Sequence, residues 1–321
     1  MAQIIRLHGL VPKAVDLSIK DLSVSARNVE ALITPRTRAV LVAHLFGNRY
    51  SLRELSRVTR HHKLLLIEDC AQAFVGRSFT GDEDATISLF SFGPIKTCTA
   101  FGGALATIRD PELLLVMKAM QDNAPAQGQL TFLKRIIKYA GLKSLTQNAY
   151  IYGFFISLLN LLGKDHHQVI AGLGHSFSSE AALLSQIRFR PSLPLVNLLE
   201  HRLRRFDPAE IQDRTRCVTD LANLLPLSLQ PIGFVSHVSR PGVSLSYWIC
   251  PIRVNDPSAT LKALFDAGFD AARGDSSLIV VLNGGTTPIR AREVMASVIY
   301  VPVDNQFTSS LAQCLIHTTR A

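Results

Sequence analysis

Apolar residues in the first 110 positions come in short runs separated by amphipathic stretches. Arg38–His44, Lys63–Asp69, Ala85–Phe90 and Gly103–Ile108 each read as a buried strand. Leu52–His62, between the first two, has helical spacing. Strands alternating with helices predict an α/β fold with a mostly parallel sheet. Such sheets place ligands beyond the carboxyl ends of their strands. Asp69 falls at one of those ends.

The pattern changes after residue 123. Residues 123–164 hold Lys134, Arg135, Lys138, Lys143 and Lys164 and no acidic residue. Within them Ala149–Leu162 is strongly apolar, yet shorter than the roughly 20 residues a membrane span needs. Two expectations stand side by side: a buried helix or oligomer contact, and a basic, apolar segment lying on a membrane surface. From Pro194 a helix is expected, with Leu195, Leu198, Leu199, Leu203 and Phe206 on one face as a core stripe. Further on, Tyr247–Val254 reads as a strand. Asp256-Pro257 opens a helix as cap and first-turn proline, and Gly268 closes it. Leu278–Leu282 reads as another strand, and Thr287-Pro288 as the start of a helix running to about Ile299. This divides the chain into a large domain over 1–200, interrupted by an insert at about 123–174, and a smaller C-terminal α/β domain over 201–321.

Composition narrows the class. The chain has 321 residues, 47% hydrophobic and 18% charged, which predicts a folded protein with two real cores. The net charge of +9 fits anionic partners in general. No recognition-helix, zinc-finger or RNA-binding aromatic pattern accompanies it, so no nucleic-acid partner is expected. The start, Met1-Ala2-Gln3-Ile4-Ile5-Arg6, lacks the apolar core of a signal peptide. The cysteines Cys70, Cys98, Cys217, Cys250 and Cys314 are scattered without metal or redox spacing, which suits the cytoplasm. His61-His62 and His166-His167 are adjacent pairs without a carboxylate cluster, so no metal is expected. Arg273, Arg290 and the loop Asn283–Thr287 read as solvated or structural.

Two segments carry chemistry together. One is Ile67-Glu68-Asp69-Cys70-Ala71-Gln72-Ala73. The other is Ser91-Phe92-Gly93-Pro94-Ile95-Lys96, followed by Phe101-Gly102-Gly103-Ala104. Pyridoxal 5′-phosphate (PLP) needs a lysine for its Schiff base. It needs a carboxylate beside the pyridine nitrogen, to keep the ring an electron sink. It also needs donors around its phosphate. Asp69 at a strand end and Lys96 on a following loop can meet at one ring, with Ser91 toward the phosphate. Gly102-Gly103 suits a tight return into the next strand.

In this order and spacing the chain resembles the DegT/StrS-type PLP-dependent sugar aminotransferases, of fold type I. The resemblance runs from His8–Pro12, where the family has a strand leading to P-x-x-V-D (here Pro12–Asp16), through Ala31–Val40 and His44-Leu45-Phe46-Gly47. It takes in the two segments above and resumes at Tyr247-Trp248 and Tyr300–Val303. It implies a fold type I aminotransferase-like protein in which Lys96 is the catalytic, Schiff-base lysine. Asp69 would pair with the pyridine nitrogen, Gln72 contact the ring hydroxyl and Ser91 bind phosphate. His44 matches a position of either structural or near-site role. Family members carry a further segment ahead of where this chain begins, with a Gly-Thr/Ser-x-Ala turn at a helix N-terminus that grips the phosphate. Relative to them the large domain is expected to be N-terminally incomplete, with an exposed sheet edge or face.

The expected activity is therefore transfer of an amino group from an amino-acid donor to a keto group of a sugar or nucleotide-sugar, in a homodimer. The rival expectation is a catalytically impaired homologue acting as a non-catalytic subunit, or as a membrane-surface interaction protein through residues 123–164.

Overall fold

The computed structural model describes residues 1–147, 183–234, 245–247, 249–273, 280–281, 288–303 and 308–320, together with Gly153, Ser157 and Leu161. Two short helices come first, α1 (Ala2–Leu7) and α2 (Ala26–Glu30). Then follow β1 (Ala39–Ala43), α3 (Arg53–His61), β2 (Leu65–Asp69), β3 (Ile87–Ser91) and β4 (Ala104–Ile108). The strands lie in the order β1-β2-β3-β4; β1, β2 and β3 are parallel, and β4 runs antiparallel to β3. The sheet is thus mostly parallel, as the alternation of strands and helix predicts. Register sets Ala43 beside Asp69 and Val42 beside Glu68.

The strands are less buried than their apolar runs predict. Ala39 and Leu41 of β1, Leu65 of β2 and Ala104–Ala106 of β4 are exposed. Leu105, 46% exposed, stands out as a large apolar side chain in water. The reason is geometric: side chains stand perpendicular to a sheet, and the register partners Ala39 and Leu65, on an edge and an inner strand, are exposed together on a face that no described element covers there. The expected strand near His8–Val11 is not formed; α1 ends just before it and the segment is irregular.

Next come α4 (Pro111–Asp122), α5 (Gln129–Gln147), α6 (Leu183–Ile187), α7 (Leu193–Arg204) and α8 (Ala209–Leu224). Asp110 caps α4, its carboxylate accepting the N–H groups of Glu112 and Leu113, with Pro111 in the first turn. On α7 the predicted stripe is in place. Leu195 and Leu199 are buried, and Leu198, Leu203 and Phe206 pack partly buried against Cys70, Phe90, Phe92 and Phe132. Most of the apolar run Ala149–Leu162 lies outside the described residues; Gly153, Ser157 and Leu161 are helical and exposed. No helix among the described residues is long and apolar enough to cross a membrane.

The C-terminal elements are β5 (Cys250–Arg253), α9 (Pro257–Asp266), α10 (Ile289–Ser297), β6 (Val298–Val301) and α11 (Thr308–Arg320). Asp256 caps α9 through Ser258 and Ala259, and Gly268 follows its end at φ 87°, as the Asp-Pro…Gly pattern predicts. The helix expected to reach Ile299 instead stops at Ser297. Val298–Val301 is a strand, fully buried and antiparallel to β5, because a β-branched and aromatic run suits a pleated, packed surface better than a helix. Of the strand expected at Leu278–Leu282, only Val280 and Val281 are described, and neither is in a strand. Val218, Leu221, Cys250, Ile252, Leu264, Ile299 and Leu315 form the core here. The loop Asn283–Thr287 lies outside the described residues, as does the His166-His167 pair.

Candidate functional site

Two turns build the site. The first follows β2: Asp69 is its last residue, and its Oδ1 accepts the N–H of Ala71 at 2.9 Å, which fixes the carboxylate against the turn. The second is the lysine loop. The amides of Ala100 and Gly102 both donate to the Phe92 carbonyl at 3.0 Å, and the Phe92 amide donates to Gly103 at 3.1 Å. Phe92 itself is 1% exposed, so the loop is pinned to the core at its root. The return into β4 needs positive φ at Phe101 (60°) and at Gly103 (80°), and this explains the glycine there.

Lys96 sits on that loop, half-buried. Burial lowers the pKa of its amine, and the nearby negative charge of Asp69 draws it part of the way back. Lys96 and Asp69 are thus brought into electrostatic contact, as the two motifs predict. Gln72, Ser91 and Lys96 line one small pocket, together with Ala71, Phe74, Ile95, Thr97 and Cys98. Three of the four predicted residues line this pocket, and Asp69, at the end of β2, acts on Lys96 through its charge.

Gln72 is held from two sides. Its side-chain oxygen accepts the Phe46 N–H at 2.7 Å, and its main-chain carbonyl accepts the Ser246 hydroxyl at 2.7 Å. The Phe46 bond leaves the amide nitrogen of Gln72 as the donor for a ligand. The turn at Phe46 (φ 58°) and Gly47 (φ 85°) presses against the segment before β5. A Cβ on Gly47 would come within 2.3 Å of the Tyr247 nitrogen. Phe46 lies in the His44–Gly47 motif but its backbone role was not foreseen, and Ser246 was not singled out, since backbone donors and a lone serine leave no pattern in a sequence.

Behind the site lies a buried pair. His44 Nε2 donates to Glu68 Oε1 at 2.7 Å; His44 is 2% and Glu68 0% exposed. Burial pushes the Glu68 carboxyl up. The hydrogen bonds from His44 and Ser88, the charge of His44 and the Asp82 amide outweigh it and hold the group below the usual range. A signal for this pair does exist in the sequence: a carboxylate inside an apolar strand needs a buried partner, and His44 ends the neighbouring strand. Cys70 is close by, and together His44, Glu68 and Cys70 place possible ligand atoms within 4.8 Å of one another. The short His44–Glu68 hydrogen bond accounts for two of them, and burial pushes the Cys70 thiol up so that it stays protonated.

A larger hollow of about 320 Å³ lies elsewhere, lined by Val75, Ser78, Ile211, Gln212 and Thr215 among others. The hydroxyls of Ser78 and Thr215 are committed to backbone carbonyls, and no lysine lines it. Arg273 and Arg290 stand apart from the site; Arg273 donates to the Ala296 carbonyl at 2.9 Å.

In fold class the chain is fold type I aminotransferase-like. A solved structure, the aminotransferase TlmJ from Streptoalloteichus hindustanus, superposes at a TM-score of 0.67 with 18% identity, covering 99% of this chain and 75% of that one. Within the class, residues 1–143 match the DegT/DnrJ/EryC1/StrS aminotransferase family. GDP-perosamine synthase of Caulobacter vibrioides is 34% identical over 116 residues, 35% of this chain and 31% of that protein. The L-glutamine:2-deoxy-scyllo-inosose aminotransferase of Streptomyces fradiae is 37% identical over 134 residues, 39% of this chain and 31% of that protein. The chain thus matches these curated relatives over about a third of their length.

Proposed function

We propose that this chain carries the lysine-bearing side of a PLP site, and that its protein transfers an amino group to a keto group of a sugar or nucleotide-sugar. The observation that carries this reading is the convergence of Lys96, Gln72 and Ser91 on one pocket, with the Asp69 carboxylate near enough to act on the Lys96 amine. The ring-side residues fit PLP: an amine of lowered pKa, a fixed carboxylate beside it, and an amide nitrogen left free to donate. On the phosphate side the described wall offers the hydroxyls of Ser91 and Thr97.

When bound, PLP supplies an electron sink. The residues do the rest. Asp69 holds a negative charge at the ring-nitrogen position. Gln72 donates through its amide nitrogen. Lys96, with its amine more readily neutral than an exposed lysine's, takes up and returns a proton at Nζ as general base and acid. Ser91 donates toward the phosphate. We place the division of the chain near residue 200, and a homodimer is the assembly the family likeness favours.

The test is an absorbance scan of the purified protein with PLP. A visible band of lysine-linked cofactor, absent in Lys96→Ala, is expected; no band at saturating PLP contradicts the reading.

A second reading concerns α5. It exposes Leu130, Leu133 and Ile137, at one-turn and two-turn spacing, beside the basic residues Lys134 and Lys138. A basic, apolar helix face fits an anionic membrane surface, which would make contact through 123–164. Co-sedimentation with phosphatidylglycerol vesicles at low salt tests it; no binding there contradicts it.

A further inference from the structure

We propose that His44 and Glu68 are positioning residues for the cofactor ring, a role that rests on the PLP site proposed above. Successive residues on a strand point to opposite faces. Asp69 faces Lys96, so Glu68 lies on the back of β2, away from the cavity. There it is fixed at several points. Oε1 accepts from His44 at 2.7 Å and Oε2 accepts the Asp82 N–H at 2.9 Å. Ser88 also hydrogen-bonds to it, and the Ser88 hydroxyl oxygen accepts from Arg109 at 3.2 Å. The loop before Asp82 comes so close that a Cβ on Gly81 would meet Ser88 Oγ at 2.0 Å.

His44 links this anchored group to the front of the site. Its side chain holds Glu68, while its own N–H donates to the Asp69 carbonyl at 3.0 Å. Two residues later the Phe46 N–H holds the Gln72 side chain. One residue therefore ties the back of β2 to Asp69 and leads into the turn that orients Gln72. Stability alone is a weak reason for the pair, because two buried, hydrogen-bonded polar partners can often be replaced by apolar groups of the same shape at little cost. A positioning role gives the reason: the pair fixes the backbone that carries Asp69 and the turn that orients Gln72.

The test uses the whole chain with PLP itself as the probe, in wild type, His44→Ala, His44→Gln and Glu68→Gln. Three quantities are read: the Kd for PLP, the pH midpoint of the visible band, and thermal melting followed by circular dichroism. His44→Ala is expected to weaken PLP about tenfold or more, the scale of a lost charge-assisted bond, and to move the pH midpoint. His44→Gln, which restores an N–H donor toward Glu68, is expected to recover most of both. Should His44→Ala not fold, Glu68→Gln serves in its place, with a shifted midpoint expected. A wild-type Kd and midpoint in these variants overturns the proposal. So does a loss of melting temperature with an unmoved midpoint, which marks a purely structural pair. A wild type that shows no band at all removes the PLP site instead, and with it this role.

Discussion

The backbone N–H of Phe46 donates to the side-chain oxygen of Gln72 at 2.7 Å, across a separation of 26 residues. This single bond decides which end of the Gln72 amide meets a ligand. Gln72→Glu keeps an acceptor for Phe46 but replaces the remaining donor with a second acceptor. Gln72→Ala removes both. Each is expected to weaken PLP binding about tenfold, the scale of one hydrogen bond to a charged group. Titration of the visible band measures it, and an unchanged Kd in Gln72→Glu contradicts the assigned orientation.

Gly47 makes this turn possible. It sits at φ 85°, and an added Cβ would come within 2.3 Å of the Tyr247 nitrogen. Both the conformation and the contact oppose any side chain, so Gly47→Ala is expected to lose at least ~2 kcal/mol of stability. Urea denaturation of the two proteins checks this. A loss under ~0.5 kcal/mol contradicts the packing described.

Lys96 predicts a pH dependence. Burial lowers the pKa of its amine, so the neutral, reactive form appears at lower pH than in a free lysine side chain, near ~10.4. The covalent capture of PLP, trapped with borohydride and counted by mass, is expected to reach half its maximum below that value. The linkage has a definite sign. The buried charge costs stability at pH below the lowered value, and that cost fades as pH rises toward the ordinary lysine range.

Glu68 predicts the opposite limb. Its folded carboxyl is held below its ordinary value despite burial. It therefore contributes stability above the ordinary carboxylate range, and that contribution is lost as pH falls through the lowered folded value. Leaving Glu68 as an uncompensated buried charge in His44→Ala is expected to cost about 3 kcal/mol at neutral pH. In Glu68→Gln the acid side of the stability curve is expected to flatten. Chemical denaturation between neutral pH and strong acid measures both.

Asp16 ties the two ends of the chain together. Its two carboxylate oxygens accept the N–H groups of Arg290 and Ala291 at 3.0 Å each, capping α10. Asp16→Ala is expected to cost about 1 kcal/mol, with Asp16→Asn losing less. Urea midpoints compare them.

Particular residues show why some of this was legible in the sequence. The apolar runs around Val42, Ile67 and Leu89 carry enough period and length to announce a parallel sheet. Asp256-Pro257 with Gly268 marks both ends of a helix, since capping chemistry is local. The grouping of Gln72, Ser91 and Lys96 around one pocket, with Asp69 near the lysine, could be anticipated because the two motifs lie at neighbouring strand ends. The rest is tertiary. Asp16 of the Pro12–Asp16 motif caps a helix far along the chain, and no local pattern joins it to Arg290. Val298–Val301 follows helical residues without a break signal, and its pairing with Cys250–Arg253 decides it. The exposure of Leu41, Leu65 and Leu105 depends on which parts of the sheet's faces other elements cover, which periodicity does not report.

The central claim is that Lys96 binds PLP covalently beside Asp69. The most direct measurement is the absorbance spectrum of the purified protein titrated with PLP, alongside Lys96→Ala and Asp69→Asn. A saturable visible band is expected in the wild type, none in Lys96→Ala, and weaker binding with a displaced band in Asp69→Asn. A wild-type spectrum that matches free PLP at saturation, or an undiminished band in Lys96→Ala, contradicts it.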